Sequence, residues 1–160
     1  MFKNTDPKDP KSPKQPKGDF NKKAFKYAIG MIESSGGKNL SSKTSSAAGK
    51  YQFLWNLIKD DDSLDGISKR EFIGSSDLQE QIMDKALNGN LKGYPNYISN
   101  ANKLKSEYGS ELGVTKIAAL THFLGSGNVR KYLSNPQEFK VNGVNKTPEE
   151  YLSDFNNYFE

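Results

Sequence analysis

The sequence predicts a mostly helical fold, and three observations carry that prediction. Apolar residues recur at helical spacing in several separate stretches. Helix stop and start signals bracket them, such as Asn88-Gly89 and Thr147-Pro148-Glu149-Glu150. Strand-like alternation is nearly absent, and one short hairpin signal, Val141-Asn142-Gly143-Val144, is all the β structure it offers. With 160 residues the chain suits one domain with a real core. No internal repeat is visible.

Composition narrows the chemistry. There is no cysteine, which removes disulfides and thiolate metal sites. The single histidine, His122, argues against a histidine-based zinc centre. A Ser-His-Asp triad would have to use His122, and no G-x-S-x-G elbow accompanies it. No cofactor is expected. No run approaches the roughly 18 apolar residues of a membrane span. Met1-Phe2-Lys3-Asn4 is not followed by an apolar stretch, so no signal peptide is expected. The net charge of +4 is concentrated at the start: residues 1–18 hold five lysines and two aspartates, leaving 18 basic and 17 acidic residues elsewhere. Specific nucleic-acid binding by the folded part is therefore not expected.

Residues 1–18 read as a Pro/Lys-rich disordered arm and residues 19–160 as the folded domain. Pro7, Pro10, Pro13 and Pro16 recur every third residue with a lysine behind each, the period of a polyproline II helix. Such an arm is a semi-rigid tether, or a docking segment for a partner or an anionic polymer.

The elements follow in order. Asp19 or Asn21 can cap the first helix. Ala24, Phe25, Ala28, Ile29, Met31 and Ile32 form its apolar stripe, and Gly36-Gly37 end it. Residues 38–48 read as loop. Gln52 to Lys59 resumes an apolar pattern that includes Trp55, closed by Asp60, Asp61 and Asp62 as a solvated helix end and a turn at Asp65-Gly66. Ser76 with Gln79 offers a capping box for a helix carrying Leu78, Ile82, Ala86 and Leu87. Tyr94 to Tyr108 reads as a helix. Val114, Ile117, Ala118, Thr121 and Leu124 mark another, broken at Gly125-Ser126-Gly127, and Asn128 to Leu133 a short one. The last begins at Thr147-Pro148 and turns Leu152, Phe155 and Phe159 inward.

The chemistry centres on Ala28 to Phe53. Glu33 lies at the C-terminal end of an apolar helix. The negative end of the helix dipole and the neighbours Met31 and Ile32 favour a carboxyl that can hold a proton, as a glycosidase general acid must. A solvated Glu at a helix end is the plain alternative.

Glu33-Ser34-Ser35-Gly36-Gly37, a loop, and Gly49-Lys50-Tyr51-Gln52-Phe53 together resemble the lysozyme-like lytic transglycosylase family. Its first motif is the catalytic Glu followed by Ser, and its second is Gly, two mostly apolar residues and Gln. The third, Ala-aromatic-Asn-x-Gly at a helix end, is matched by Ala119 to Val129. The resemblance covers about residues 20–135. Lys50-Tyr51 replaces the usual Leu-Met, His122 fills the aromatic slot, and Phe123 stands at the asparagine. These departures look most like the transglycosylase domains of phage virion proteins.

The resemblance implies a lysozyme-like helical domain with a cleft and a minimal β-hairpin. It implies cleavage of the β-1,4 bond between N-acetylmuramic acid and N-acetylglucosamine in peptidoglycan, with Glu33 as acid and then base. Ser34, Ser35, Tyr51, Gln52, His122, Phe123, Gly125 and Tyr151 would line the substrate site, Tyr151 as a match for the family's late tyrosine. Peptidoglycan glycan strands are then the partner, and a virion or envelope-complex protein is a partner for residues 1–18. The place of action would be the bacterial periplasm or cell wall, reached with a phage particle. Several roles stay open between structure and function. Tyr51 is core or a platform under a sugar ring, Ser34 caps the helix break or bonds Glu33 or substrate, and His122 is a core histidine or a contact. Two further readings remain: a hydrolytic muramidase, which needs a second carboxylate, and a catalytically inactive glycan-binding or structural module.

Overall fold

The computed structural model describes residues 20–41 and 46–159. The arm at residues 1–18 lies outside the described residues. The described chain is mostly helical, with eight α-helices, one 3₁₀ turn and one two-stranded antiparallel sheet. It divides into two compact units: the described residues of Met1–Ala28 with Tyr97–Glu160, and Ile29–Asn96. No helix among the described residues is long and apolar enough to cross a membrane.

The first unit contains the start of α1 (Lys22–Ser34) together with α5 (Tyr97–Tyr108), α6 (Val114–Leu124), α7 (Ser126–Ser134) and α8 (Pro148–Phe159). Asn21 starts α1 as the sequence suggests, its side chain accepting from the Ala24 N–H at 3.1 Å. α6 is its central element: apolar almost all round and largely buried, it packs against α5, α7 and α8. Phe25 is fully buried, with Phe20, Tyr97 and Phe155 rings about it. The capping box of α8 forms, the Glu150 N–H donating to Thr147 Oγ1 at 3.1 Å and the Thr147 N–H to Glu150 Oε1 at 2.8 Å. Phe155 is buried, whereas Leu152 and Phe159 are half-buried and Tyr151 takes an inward position instead.

The second unit holds the end of α1, β1 (Ala47–Ala48), β2 (Phe53–Leu54), α2 (Trp55–Ile58), the 3₁₀ turn Asp62–Leu64, α3 (Lys69–Ile73) and α4 (Ser76–Asn88). The hairpin is here and not at Val141–Val144, which forms bends only. One valine on each side of Asn142-Gly143 is too little strand to hold a ladder. β1 and β2 pair Ala47 with Leu54 and Ala48 with Phe53. Trp55, in the apolar pattern of Gln52 to Lys59, is only half-buried.

Two expectations are corrected in this unit. The capping box at Ser76 does not form: Ser75 is the N-cap, accepting from Leu78 N–H at 3.2 Å, and Gln79 turns inward. α3, which the apolar pattern did not announce, has the box instead, Ser68 with Glu71. The aspartates are not all solvated. Asp61 is 8 % exposed, accepts from Ser63 N–H at 3.0 Å and Oγ at 2.6 Å, and pairs with Lys85 Nζ at 2.6 Å. Burial alone would raise its pKa. The hydrogen bonds from Lys85 and Ser63 and the Lys85 charge outweigh it and hold the carboxyl below its ordinary value. A depressed folded pKa means stability that is fully present above the ordinary carboxylate value and lost as pH falls from there through the lower folded value. Asp61→Asn is expected to cost about 2 kcal/mol near neutrality. The gap from the parent protein should close below about pH 4, as urea unfolding at both pH values will show.

Candidate active site

The two motifs that the sequence singles out in the second unit meet at a single peptide group. Ser34, the last residue of α1, is 1 % exposed. Its Oγ donates to the Lys50 carbonyl at 2.7 Å and lies 3.2 Å from the Gly30 carbonyl, and it accepts from the Gly37 N–H at 2.9 Å. Ser34 therefore both caps the helix break and joins it to the second motif. Glu33 precedes it, half-buried on the last turn of α1.

The second motif is the turn of the hairpin. Gly49 to Gln52 closes with the Gln52 N–H on the Gly49 carbonyl at 3.1 Å, between β1 and β2. Gly49 takes φ +83, and a Cβ there would lie 3.1 Å from the Gln79 side chain, so both backbone and space demand glycine. The Gln52 side chain bends back onto its own turn, donating to the Gly49 carbonyl at 2.9 Å and lying 3.3 Å from that of Leu40. Lys50 runs along α1 at Gly30, where a Cβ would come 2.8 Å from Lys50 Cε. Lys50 Cε is the far end of a flexible side chain that can shift aside, so nothing in the structure requires a glycine at this mid-helix position.

Tyr51 resolves as core. It is 1 % exposed, and its hydroxyl donates to the Glu80 carboxylate, 2.9 Å from both oxygens. Burial first, then the charge and hydrogen bond of Glu80 and the charge of Asp84, push its phenol well above the usual range. A buried ring cannot lie under a sugar, so the platform reading is set aside. Glu80 also pairs with Lys50 Nζ at 3.2 Å.

Two non-glycine residues among those described have positive φ: Ser35 at 55° and Gln52 at 54°. Gln52 ends the second motif, and Ser35 directly follows the first. Left-handed backbone costs a non-glycine residue about 1 kcal/mol, and such strain concentrates at functional sites. Ser35 is exposed, with one long contact of 3.4 Å from Asn39 Nδ2. Ser35→Gly is thus expected to raise stability by about 1 kcal/mol. Thermal unfolding checks this, and a fall in stability would show that the hydroxyl holds the loop.

The third-motif residues lie in the first unit and form their own cluster. His122 Nδ1 shares a hydrogen bond of 2.7 Å with the Tyr97 hydroxyl. Phe123 stacks on Tyr151, with centroids 4.2 Å apart and planes within 8°. Tyr151 is buried. Gly125 separates α6 from α7 at φ 84°, ψ 153°.

Sequence reasoning missed Gln79 and Glu80. Gln79 reads as the N3 residue of a box at Ser76, and only the one-residue shift of the N-cap to Ser75 frees it to face the turn. Comparison with protein-family models, with curated proteins and with solved structures finds no match to this chain.

Proposed function

We propose that the chain is a peptidoglycan lytic transglycosylase with Glu33 as its general acid and base. The observation that carries the reading is the meeting of Glu33-Ser34 with Gly49–Gln52 through the Ser34 Oγ–Lys50 carbonyl bond of 2.7 Å. Residues 16 positions apart are joined where the family resemblance places the catalytic pair of motifs. The positive φ of Ser35 and Gln52 adds support, because strain is retained where geometry serves chemistry.

In this reading Glu33 protonates the glycosidic oxygen as the bond to N-acetylglucosamine breaks. The acetamido oxygen of the muramic acid stabilises the anomeric carbon from within the substrate. Glu33, now a carboxylate, takes the proton of the C6 hydroxyl, whose oxygen closes on the anomeric carbon. The product is a 1,6-anhydro end, and no water is consumed. One carboxylate suffices, unlike the two-carboxylate scheme.

The hydrolytic alternative needs a second carboxylate. Of the run Asp60, Asp61 and Asp62, Asp61 is committed to Lys85 and Ser63. A catalytically inactive glycan-binding module is favoured by one observation: Phe123, at the family's asparagine, stacks on Tyr151 and offers no hydrogen bond to an acetamido group. Service to a phage particle, and docking through residues 1–18, extend the proposal. Release of soluble fragments from purified insoluble peptidoglycan tests it. Solubilisation is expected; binding to the sacculi without release would favour the inactive module.

A further inference from the structure

The Lys50 backbone is gripped through the two peptide groups on either side of its Cα. Its N–H donates to Gln79 Oε1 at 2.6 Å, and its carbonyl accepts from Ser34 Oγ at 2.7 Å. Gln79 is 4 % exposed, and its Nε2 donates to the carbonyls of Phe72 and Ile73, each at 2.9 Å. The carboxamide is thereby engaged at both ends, with its acceptor on the turn and its donors on α3. One residue further along α4, Glu80 holds Lys50 Nζ and the Tyr51 hydroxyl.

An apolar side chain would fill the same buried volume without a carboxamide to desolvate. What Gln79 gains is a bond to main chain, and the segment it holds contains Gln52, whose positive φ persists only if its surroundings impose it. α4 itself contributes no residue to either motif.

We propose that Gln79 is a positioning residue: it sets the Gly49–Gln52 turn and, through the Lys50 carbonyl and Ser34 Oγ, the end of α1 that carries Glu33. This rests on the glycosidase reading above. The path is short: it runs from Gln79 Oε1 through the backbone of one residue, Lys50, from its N–H to its carbonyl, and one hydroxyl to the residue covalently next to Glu33. Misplacement of a reacting group by an ångström can cost about a hundredfold in rate.

Gln79→Met keeps the volume and removes all three hydrogen bonds. On purified peptidoglycan, at a temperature where both proteins are folded, its turnover is expected to fall about 10- to 100-fold, with KM changed by less than about threefold. Ile82→Val loosens the same buried helix without removing a hydrogen bond to the turn, and should keep its turnover. The exchange rate of the Lys50 amide hydrogen should rise at least about fivefold in Gln79→Met. An active parent protein with unchanged turnover in Gln79→Met overturns the proposal, as does an equal loss in Ile82→Val. If Gln79→Met does not fold, the parent protein decides: its Lys50 amide should exchange as slowly as those of α4, and exchange as fast as in exposed loops overturns the proposal. An inactive parent protein instead removes the glycosidase reading, and with it the role assigned to Gln79.

Discussion

Glu33→Gln is expected to lower turnover on peptidoglycan about 10²- to 10⁴-fold, the range that a positioned general acid supplies. The amide has nearly the same shape but no proton to give and no basic lone pair to take one back. Both halves of the proposed reaction need that exchange. The half-buried carboxylate lies beside the Ser34 anchor, not within the apolar core, so the fold should persist. The thermal midpoint of the variant should stay within about 2 °C of the parent, which corresponds to no more than about 1 kcal/mol. Loss of activity together with loss of fold would assign Glu33 a structural part. Full activity in a folded variant would move the acid elsewhere.

Phe25→Ala is expected to destabilise the first unit by about 3–5 kcal/mol, the cost of removing a large ring from a core that cannot collapse around the gap. Phe25 is fully buried, with ring centroids 5.1, 6.3 and 6.4 Å from those of Phe20, Tyr97 and Phe155. Three segments bring rings to it: the residues just before α1 with Phe20, α5 with Tyr97 and α8 with Phe155. Truncation therefore removes contacts to all three at once, beyond the transfer energy of the ring itself. Urea unfolding followed by circular dichroism checks the value. A loss below about 1 kcal/mol would mean that the neighbouring rings close the cavity.

Much of the helical scaffold was legible because period and caps agreed. The stripe of α1, the box at Thr147 and Glu150, and the stop at Asn88-Gly89 each combine an apolar pattern with a local hydrogen-bonding signal. The hairpin was misplaced because Asn142-Gly143 is a strong local turn signal without strands to join. The actual pair is two residues a side and borrows its register from Leu40 and Gln79. Local sequence cannot report such support. Asp61 and Gln79 were misread for a shared reason: each polar side chain is turned inward by a partner distant in sequence, Lys85 for one and the Lys50 peptide for the other. Of the site, Ser34 and Gln52 were legible as motif positions. Their mutual tie was not, because it runs through the main chain of Lys50, where side-chain identity carries no signal.

The central claim, that this chain cuts glycan strands by a one-carboxylate, water-free route, is tested most directly by mass spectrometry of the muropeptides it releases from purified peptidoglycan. The expected products are lighter by one water than hydrolytic ones and end in 1,6-anhydromuramic acid. Ordinary reducing ends in their place would contradict the route and require a second carboxylate, and no released muropeptide at all would contradict the enzyme itself.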